Sequence, residues 1–270
     1  MSNSVNTNIG ALLGQKYLRS NSAEMVVVQN RVSSGLRVAT VMDDASTFAV
    51  AAGMRGDIKG YTAIAAALQG AKVGAAVAVS AGETISKRLE DIKAKIIQLA
   101  DESISTASRT TYQNDLDSMV GEVNSYLQQA SYNNINLLGS GGSDVLIVAN
   151  IDASSITIRN QDVSDLSGGT LAAITNSADA SDALSVIAGF KSNLDTALAN
   201  LGADLKRVEA QAEFIKQTEE TVRIGLGALV DADLAKESAA LQSLQVRQQL
   251  GVQSMGIANQ APQTLLGLFQ

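Results

Sequence analysis

The 270-residue sequence contains no histidine, cysteine or tryptophan and only one proline. Without His and Cys, a Ser–His catalytic triad, a thiol nucleophile and the usual zinc and haem ligands are excluded. Four Phe, five Tyr and an excess of Asp and Glu (27) over Lys and Arg (20) leave neither the basic field nor the aromatic platform that binds nucleic acid. We therefore expect no catalytic residue, no cofactor, no metal and no nucleic-acid partner.

Two further absences concern membranes and export. No uninterrupted apolar run of about 18 residues occurs, which predicts that no segment spans a membrane. Residues 1–14 do not combine a basic start with an apolar run, so we expect no signal peptide. The lack of cysteine suits the cytosol, and it equally suits a protein that is exported unfolded.

Alanine and aliphatic residues at helical spacing dominate what is present. The chain has 40 Ala within an apolar fraction of 46%, which favours thin, closely packed helices. Leu116, Met119, Val123, Leu127 and Ala130 are spaced by three and four residues, as in a coiled coil. Two further series with the same spacing are the predicted seam of a helical layer: Ile85, Leu89, Ile92, Ile96 and Leu99, and Leu194, Leu198, Leu201, Leu205, Val208 and Ile215.

Local signals divide these helices and predict the fold class. Gly35 reads as a helix C-terminal stop, and the acidic pairs Asp43/Asp44 and Asp231/Asp233 read as helix N-caps. Glycines at 139–142 interrupt the helical pattern, and alternating aliphatics predict a β-hairpin at about 143–160 with a polar turn at 152–155. We expect a mainly α protein: a long antiparallel, coiled-coil-like helical bundle with a small β-hairpin insert and paired N- and C-terminal helices.

Both ends of the chain are apolar on one face and poor in charge. Residues 1–34 contain four charged side chains, and residues 241–270 contain only Arg247. Such arms bury little alone, so we expect both to be disordered in the monomer and helical when packed against other copies. Heptad seams more often form an intramolecular core, and the low charge favours contact between subunits here. The predicted subunit-packing residues are Val5, Ile9, Leu12, Leu18, Met25, Val28, Val32, Leu234, Leu241, Leu244, Leu250, Ile257, Leu265, Leu266 and Phe269.

Four features allow a chemical interpretation beside a structural one. Asp43/Asp44 could form an acid–base pair, but no partner group accompanies it, so helix capping is favoured. Gly139 to Gly142 could hold phosphate, but no Gly-Lys-Ser/Thr follows. Asp231, Asp233 and Glu237 could bind calcium, but EF-hand spacing is missing. Ser and Thr in 154–182 could carry O-glycans, and a solvated loop is preferred.

Several segments together resemble bacterial flagellins. The N-terminal matches are residues 4–9 (SVNTNI), 30–37 (NRVSSGLR) and 43–45 (DDA), followed by 58–60 (IKG) and 69–70 (QG). The tail is similar over some 40 residues, through 229–238 (LVDADLAKES), 248–251 (QQLG), 258–260 (ANQ) and 265–269 (LLGLF). The resemblance covers essentially the whole chain and is specific, because both terminal signatures occur in the right order.

This resemblance implies a filament subunit that transmits motor torque for swimming. Residues 1–34 and 231–270 would form the inner-core terminal helices, and residues 35–230 the surrounding layer with its hairpin. About 40 residues separate Gly139 from Asp179, which leaves no room for further outer domains and fits a short alphaproteobacterial flagellin. In the family, the hairpin contributes to longitudinal contacts and to switching between filament forms.

The resemblance also implies partners and a location. The expected partners are other copies in a helical homopolymer, the filament cap, the hook-associated junction proteins, and an export chaperone on the C-terminal segment. The subunit would leave through the flagellar type III apparatus and lie in the extracellular filament. Flagellins sensed by the vertebrate innate receptor carry an Arg-Glu-Leu-type patch where this chain aligns Lys93, Ala94 and Lys95, so we expect weak or no receptor activation.

The sequence disfavours two alternatives to a filament subunit. A hook–filament junction protein is disfavoured, because its tail usually diverges from the pattern at 229–250. A signalling or secreted coiled-coil protein is also disfavoured. A chemoreceptor-like hairpin would need a membrane span, which the sequence does not predict. A type III effector would not need low-charge stripes at both ends.

Overall fold

The computed structural model describes residues 8–166, 171 and 173–266. The described residues form five helices, α1 (Ile9–Ser34), α2 (Ala45–Leu99), α3 (Thr106–Gln129), α4 (Ser177–Val230) and α5 (Leu234–Leu266). Four short strands lie between α3 and α4: β1 (Ser131–Tyr132), β2 (Ile135–Asn136), β3 (Val145–Val148) and β4 (Ser155–Ile158). The mainly α fold with a hairpin insert is therefore confirmed.

The chain divides into two compact units. One, here the terminal unit, contains the residues up to Gly56 and those from Thr221 onward. The other, the central unit, is Asp57–Glu220. The boundaries between these units fall inside α2 and α4, and the predicted division into filament layers at 34/35 and 230/231 stays a prediction.

The terminal unit pairs α1 with α5 and joins them to the ends of α2 and α4. Asn8 caps α1 by accepting the Ala11 N–H at 3.0 Å, and Gly35, with φ 73°, ends it in the left-handed conformation. Beyond that stop, Arg37 and Val38 donate their N–H groups to the Val230 carbonyl. Val38, Ala51 and Val230 form a small buried cluster, which holds the α1–α2 connection beside the α4–α5 connection.

The acidic pairs predicted as caps each contribute one true cap. Asp44 accepts the Ser46 and Thr47 N–H groups at the start of α2, and hydrogen bonds led by the Thr47 hydroxyl lower the pKa of Asp44 to about 2. Asp233 accepts the Ala235 and Lys236 N–H groups at the start of α5. Asp43 instead closes the preceding turn by accepting from Ala39 and Thr40.

The central unit packs α3 and α4 against α2, both antiparallel to it. Arg88 and Lys95 of α2 pair with Glu122 and Asp115 of α3, and Lys72 Nζ lies 2.7 Å from Glu209 of α4. The predicted seam residues Ile85, Leu89, Ile92, Ile96, Leu99, Leu194, Leu201, Val208 and Ile215 are buried, and Leu198 and Leu205 are half-buried. These side chains constitute the core of the unit.

The α2 seam begins earlier than the sequence predicted. Tyr61, Ile64, Leu68, Ala75 and Ala78 are buried and continue the same spacing toward the N-terminus. The signal was missed because alanine is common on every face of this helix. Alanine in the seam lets helices approach closely, as at Gly82, where an added Cβ would lie 2.5 Å from Leu198 Cδ2.

The C-terminus of α2 is closed by one side chain of α3. Arg109 donates to the carbonyls of Leu99 at 2.6 Å, Asp101 at 2.9 Å and Ile174 at 3.2 Å. A guanidinium at this position satisfies helix carbonyls that lack an intrahelical partner and complements the helix dipole. The same residue ties the segment before α4 to the α2–α3 turn.

Two hairpins occur where one was predicted. Strands β3 and β4 pair antiparallel, with Val145 opposite Ile158 and Val148 opposite Ser155, within the predicted 143–160. Ile151 lies in the turn between them rather than in a strand. The additional pair, β1–β2, closes through Asn133 (φ 49°) and Asn134 (φ 66°), because asparagine tolerates the positive φ that such a two-residue turn requires.

One helix passes a length-and-composition test for a membrane span. An 18-residue window of α2 is apolar enough to cross a bilayer, although only 22% of it is buried within the protein. Polar residues interrupt the Ala, Val and Ile content of this window, so it contains no uninterrupted apolar run. Core helices of soluble proteins meet the same test, so this feature is weak evidence for a membrane location.

Candidate functional site: the terminal helix pair

Small, polar and large apolar side chains together form the contact between α1 and α5. Gly14 of α1 faces Met255, and a Cβ on Gly251 of α5 would lie 2.8 Å from Leu18 Cδ2. The residues that turn inward repeat every three or four positions, through Ala11, Gly14, Leu18, Asn21, Met25 and Val28 on α1, and Leu241, Leu244, Gln248, Gly251, Met255 and Ala258 on α5. The seam therefore follows a heptad spacing, and half of its residues are small or polar.

Three polar contacts fix the register of this pair. The amide of Asn8 donates to the Ala258 carbonyl at 2.7 Å, and that of Asn21 donates to the Leu244 carbonyl at 3.0 Å. Arg31 and Glu237 form an ion pair of 3.3 Å at the other end. The contacts lie at the start, near the middle and near the end of α1, each with an antiparallel counterpart on α5, so a shift by one turn would break all three.

The predicted subunit-packing residues separate into two groups. Leu18, Met25, Val28, Val32 and Leu241 are half-buried, Leu244 is buried, and all lie on the seam between α1 and α5. Ile9, Leu12, Leu234, Leu250 and Ile257 are 49–71% exposed and point away from it. Val5, Phe269 and the side chains of Leu265 and Leu266 lie outside the described residues.

Further large aliphatics join the exposed group. Leu13, Val26 and Val27 of α1 and Val246 and Val252 of α5 are each 42–55% exposed. Sequence reasoning assigned one stripe to each helix, but adjacent pairs such as Leu12–Leu13 and Val26–Val27 indicate a second one, because neighbours in a helix lie about 100° apart. We call the exposed set the outward face: Ile9, Leu12, Leu13, Val26, Val27, Leu234, Val246, Leu250, Val252 and Ile257.

The outward face is unusual for a helix surface in water. Charged side chains on α1 are limited to Lys16, Arg19, Glu24 and Arg31, and α5 beyond its first turn has only Arg247. No residue of α1 is buried along its 26 positions. So many exposed aliphatics beside so few charges indicate an interaction site rather than a solvated face.

The β3–β4 hairpin carries a second exposed apolar surface. Ile147 and Ile158 are buried beneath it, while Leu146 is 70% exposed and Val148 and Ile151 are about half exposed. A one-sided hairpin would normally place polar residues outward. We call Leu146, Val148 and Ile151 the hairpin face.

The positions considered for other chemistry are occupied by structural contacts. Asp43 and Asp44 accept hydrogen bonds that lower the pKa of both carboxyls, which opposes proton exchange near neutral pH. Asn160 fills the loop at 139–142 by donating to the carbonyls of Asn136 and Gly139. Across the described part of the chain, no three acidic residues come together as a metal site.

The residues aligned with the receptor patch are also engaged or small. Lys95 Nζ lies 2.7 Å from Asp115 and 5.1 Å from the centre of the Tyr112 ring. Lys93 and Ala94 are exposed. This surface therefore presents one free-standing lysine rather than a guanidinium beside a carboxylate.

Comparison with known proteins gives matches at both ends and over the whole length. The model of the bacterial flagellin N-terminal helical region matches residues 5–143, and that of the C-terminal helical region matches residues 184–269. Flagellin FljJ of Caulobacter vibrioides is 35% identical over 279 residues, covering 100% of this chain and 99% of that protein. The flagellin of Brucella melitensis is 33% identical over 281 residues, covering 99% of each.

A solved structure supports the fold. A structure named for a flagellar hook-associated protein of Vibrio parahaemolyticus has a TM-score of 0.59, with 14% identity, and covers 70% of this chain and 100% of that one. At that identity the likeness concerns the fold alone, so it does not favour a junction protein over a filament subunit.

Proposed function

Because the chain belongs to the bacterial flagellin family, which comprises structural subunits and not enzymes, we propose that its outward face packs copies into the inner layer of the filament. Flagellins polymerise into the extracellular flagellar filament. The observation that carries the proposal is that Leu12, Leu250 and Ile257 stay 57–71% exposed although α1 and α5 pack against each other.

Burial of these residues supplies the driving force for polymerisation. Covering an exposed Leu, Ile or Val contributes about 1.5–3 kcal/mol per side chain. Ten such residues line the two helices, and each recurs in every subunit. Many repeated contacts of this size hold a tube that transmits torque without any single strong bond.

Substitution of Leu250 tests the proposal. Leu250→Glu places a charge on the outward face, and burying it unpaired costs several kcal/mol. We expect no filaments by electron microscopy, with the circular dichroism of the central helices unchanged. Leu250→Met is the matched control, since it keeps the volume and apolar character, and it should polymerise. Normal filaments from Leu250→Glu would refute the proposal.

We also propose the division into layers. Residues 1–34 and 231–270 form the inner layer and order only on assembly, and residues 35–230 form the outer layer without further domains. The lack of buried residues in α1 supports this, because a helix pair with so little core gains little from ordering alone. The hairpin face forms a second, longitudinal contact with a neighbouring copy.

The remaining partners follow from the family. We propose that the filament cap and the hook-associated junction proteins contact the ends of the polymer, and that export proceeds through the flagellar apparatus. An export chaperone would cover the outward face of α5, and co-purification should be lost with Leu250→Glu. Weak receptor activation is supported by the Lys95–Asp115 pair, and potent activation of a reporter by purified monomer would contradict it.

A further inference from the structure

A row of polar residues on α4 meets the β3–β4 hairpin. Its members are Asn200, Asp204, Arg207 and Gln211, spaced by four, three and four residues. This is the spacing of one face of a helix, and it runs beside the apolar seam of the same helix. We call these four residues the polar row.

Three members of the polar row bind main-chain groups of the hairpin or of the residue that follows it, and Asn200 binds the segment just beyond. Asp204 Oδ2 accepts the Arg159 N–H at 3.3 Å, and Arg207 donates to the Thr157 carbonyl. Gln211 donates to the Ala149 carbonyl at 2.7 Å. Asn200 donates to the side chain of Gln161 at 2.9 Å. Three of the four contacts therefore involve main-chain groups.

The spacing of the two partners matches. Thr157 and Arg159 are two residues apart, so their main-chain groups point to the same edge of the strand, about 6.6 Å apart. One turn of α4 advances about 5.4 Å. Side chains on successive helical turns can therefore reach successive outward groups of β4, and they cover an edge that would otherwise be open to pairing with another chain.

Asp204 is the most constrained member. It is 5% exposed and is the one buried charged residue among the described positions. It precedes the seam residue Leu205 directly and is buried, whereas Leu205 is half-buried. Its second oxygen lies 3.0 Å from Arg207, so the carboxylate links the seam, the hairpin edge and the next member of the row.

We propose that the polar row seats the hairpin on α4, and that this seating sets the position of the hairpin face toward a neighbouring copy. The second half rests on the proposed function. Because recognition is mostly through main-chain groups, the outward side chains of the hairpin can vary while its position is kept. The four residues are positioning residues for assembly, since they act through Leu146, Val148 and Ile151.

Hydrogen exchange on the monomer tests the seating. We expect the Arg159 amide to exchange at least about tenfold faster in Asp204→Ala, because its acceptor is lost. Asp204→Asn keeps an oxygen acceptor and should fall between Asp204→Ala and the parent protein. Lys206→Ala, at an exposed position on the same turn, should match the parent. Unchanged exchange at Arg159 in Asp204→Ala would overturn the proposal.

Filament form tests the consequence. Arg207→Gln, which loses the ion pair with Asp204, should polymerise into filaments with altered pitch or curvature by electron microscopy, and Lys206→Ala should not. Faster hairpin exchange combined with a parental filament form in Asp204→Ala and Arg207→Gln would overturn the positioning role. Failure of the parent protein to polymerise would instead refute the proposed function. Hydrogen exchange on the monomer would still test the seating of the hairpin on α4.

Discussion

The seam between α2 and α4 in the central unit and the seam between α1 and α5 in the terminal unit have the same heptad spacing but differ in how far they are buried. The first buries Ile85, Ile92, Leu194 and Leu201 completely. The second mixes glycine, alanine and asparagine with half-buried aliphatics and leaves other aliphatics, such as Leu12 and Ile257, exposed. The first seam completes a core within one chain, and the second leaves an apolar surface for other chains.

The largest expected difference between the two regions is in local stability. In the monomer, amides of residues 85–99 and 194–215 should exchange at least about a thousandfold more slowly than those of residues 9–34 and 234–260. Among the described positions, α1 has no buried residue and α5 has only Leu244, so little holds the two helices closed, and in filaments their protection should rise. Strong protection of residues 9–34 in the monomer would remove the distinction between the two seams.

Truncation of matched leucines should sharpen the same comparison. Leu201→Ala removes a fully buried side chain and should lower the free energy of unfolding by about 2–5 kcal/mol. Leu250→Ala, at an exposed position, should change it by less than about 0.5 kcal/mol. Urea unfolding followed by circular dichroism measures both. Equal losses would mean that Leu250 belongs to an intramolecular core.

A smaller effect is expected from glycine. Gly82→Ala brings a methyl group to 2.5 Å from Leu198 Cδ2, and the repacking should lower the free energy of unfolding by about 1–3 kcal/mol. Gly202→Ala, where no atom lies within 4 Å, should raise it by up to about 1 kcal/mol through helix propensity. Thermal unfolding of both variants checks the sign, and a stabilising Gly82→Ala would contradict the close approach of α2 and α4.

The hairpins show where local sequence signals were sufficient. Ile156 and Ile158 alternate with Ser155 and Thr157 in β4, which is the pattern of a strand that buries one face, whereas β3 is a short run of four aliphatics between turn residues. The β1–β2 pair has only two residues in each strand, which is too short for such a pattern. Its turn was signalled by Asn133 and Asn134 alone.

The outward face could be predicted only in part. The low charge of both ends and their aliphatic content are sequence properties, and they indicated packing between subunits. Leu12 and Leu250 were predicted to pack between subunits, and this stays a prediction; sequence alone did not separate them from Leu18 and Leu244, which face the partner helix of the same chain. The close approach at Gly14 and Gly251 instead places small residues between the helices.

The sequence by itself determined the helices, their ends and the family, because periodicity, caps and terminal motifs are local and are written in residue order. Only the tertiary structure decided which stripe faces inward and that Asp204 meets the hairpin edge. Those outcomes depend on how closely two helices approach and on which main-chain groups a distant strand leaves open. These contacts are between residues far apart in the chain, so the spacing of residues along one helix does not predict them.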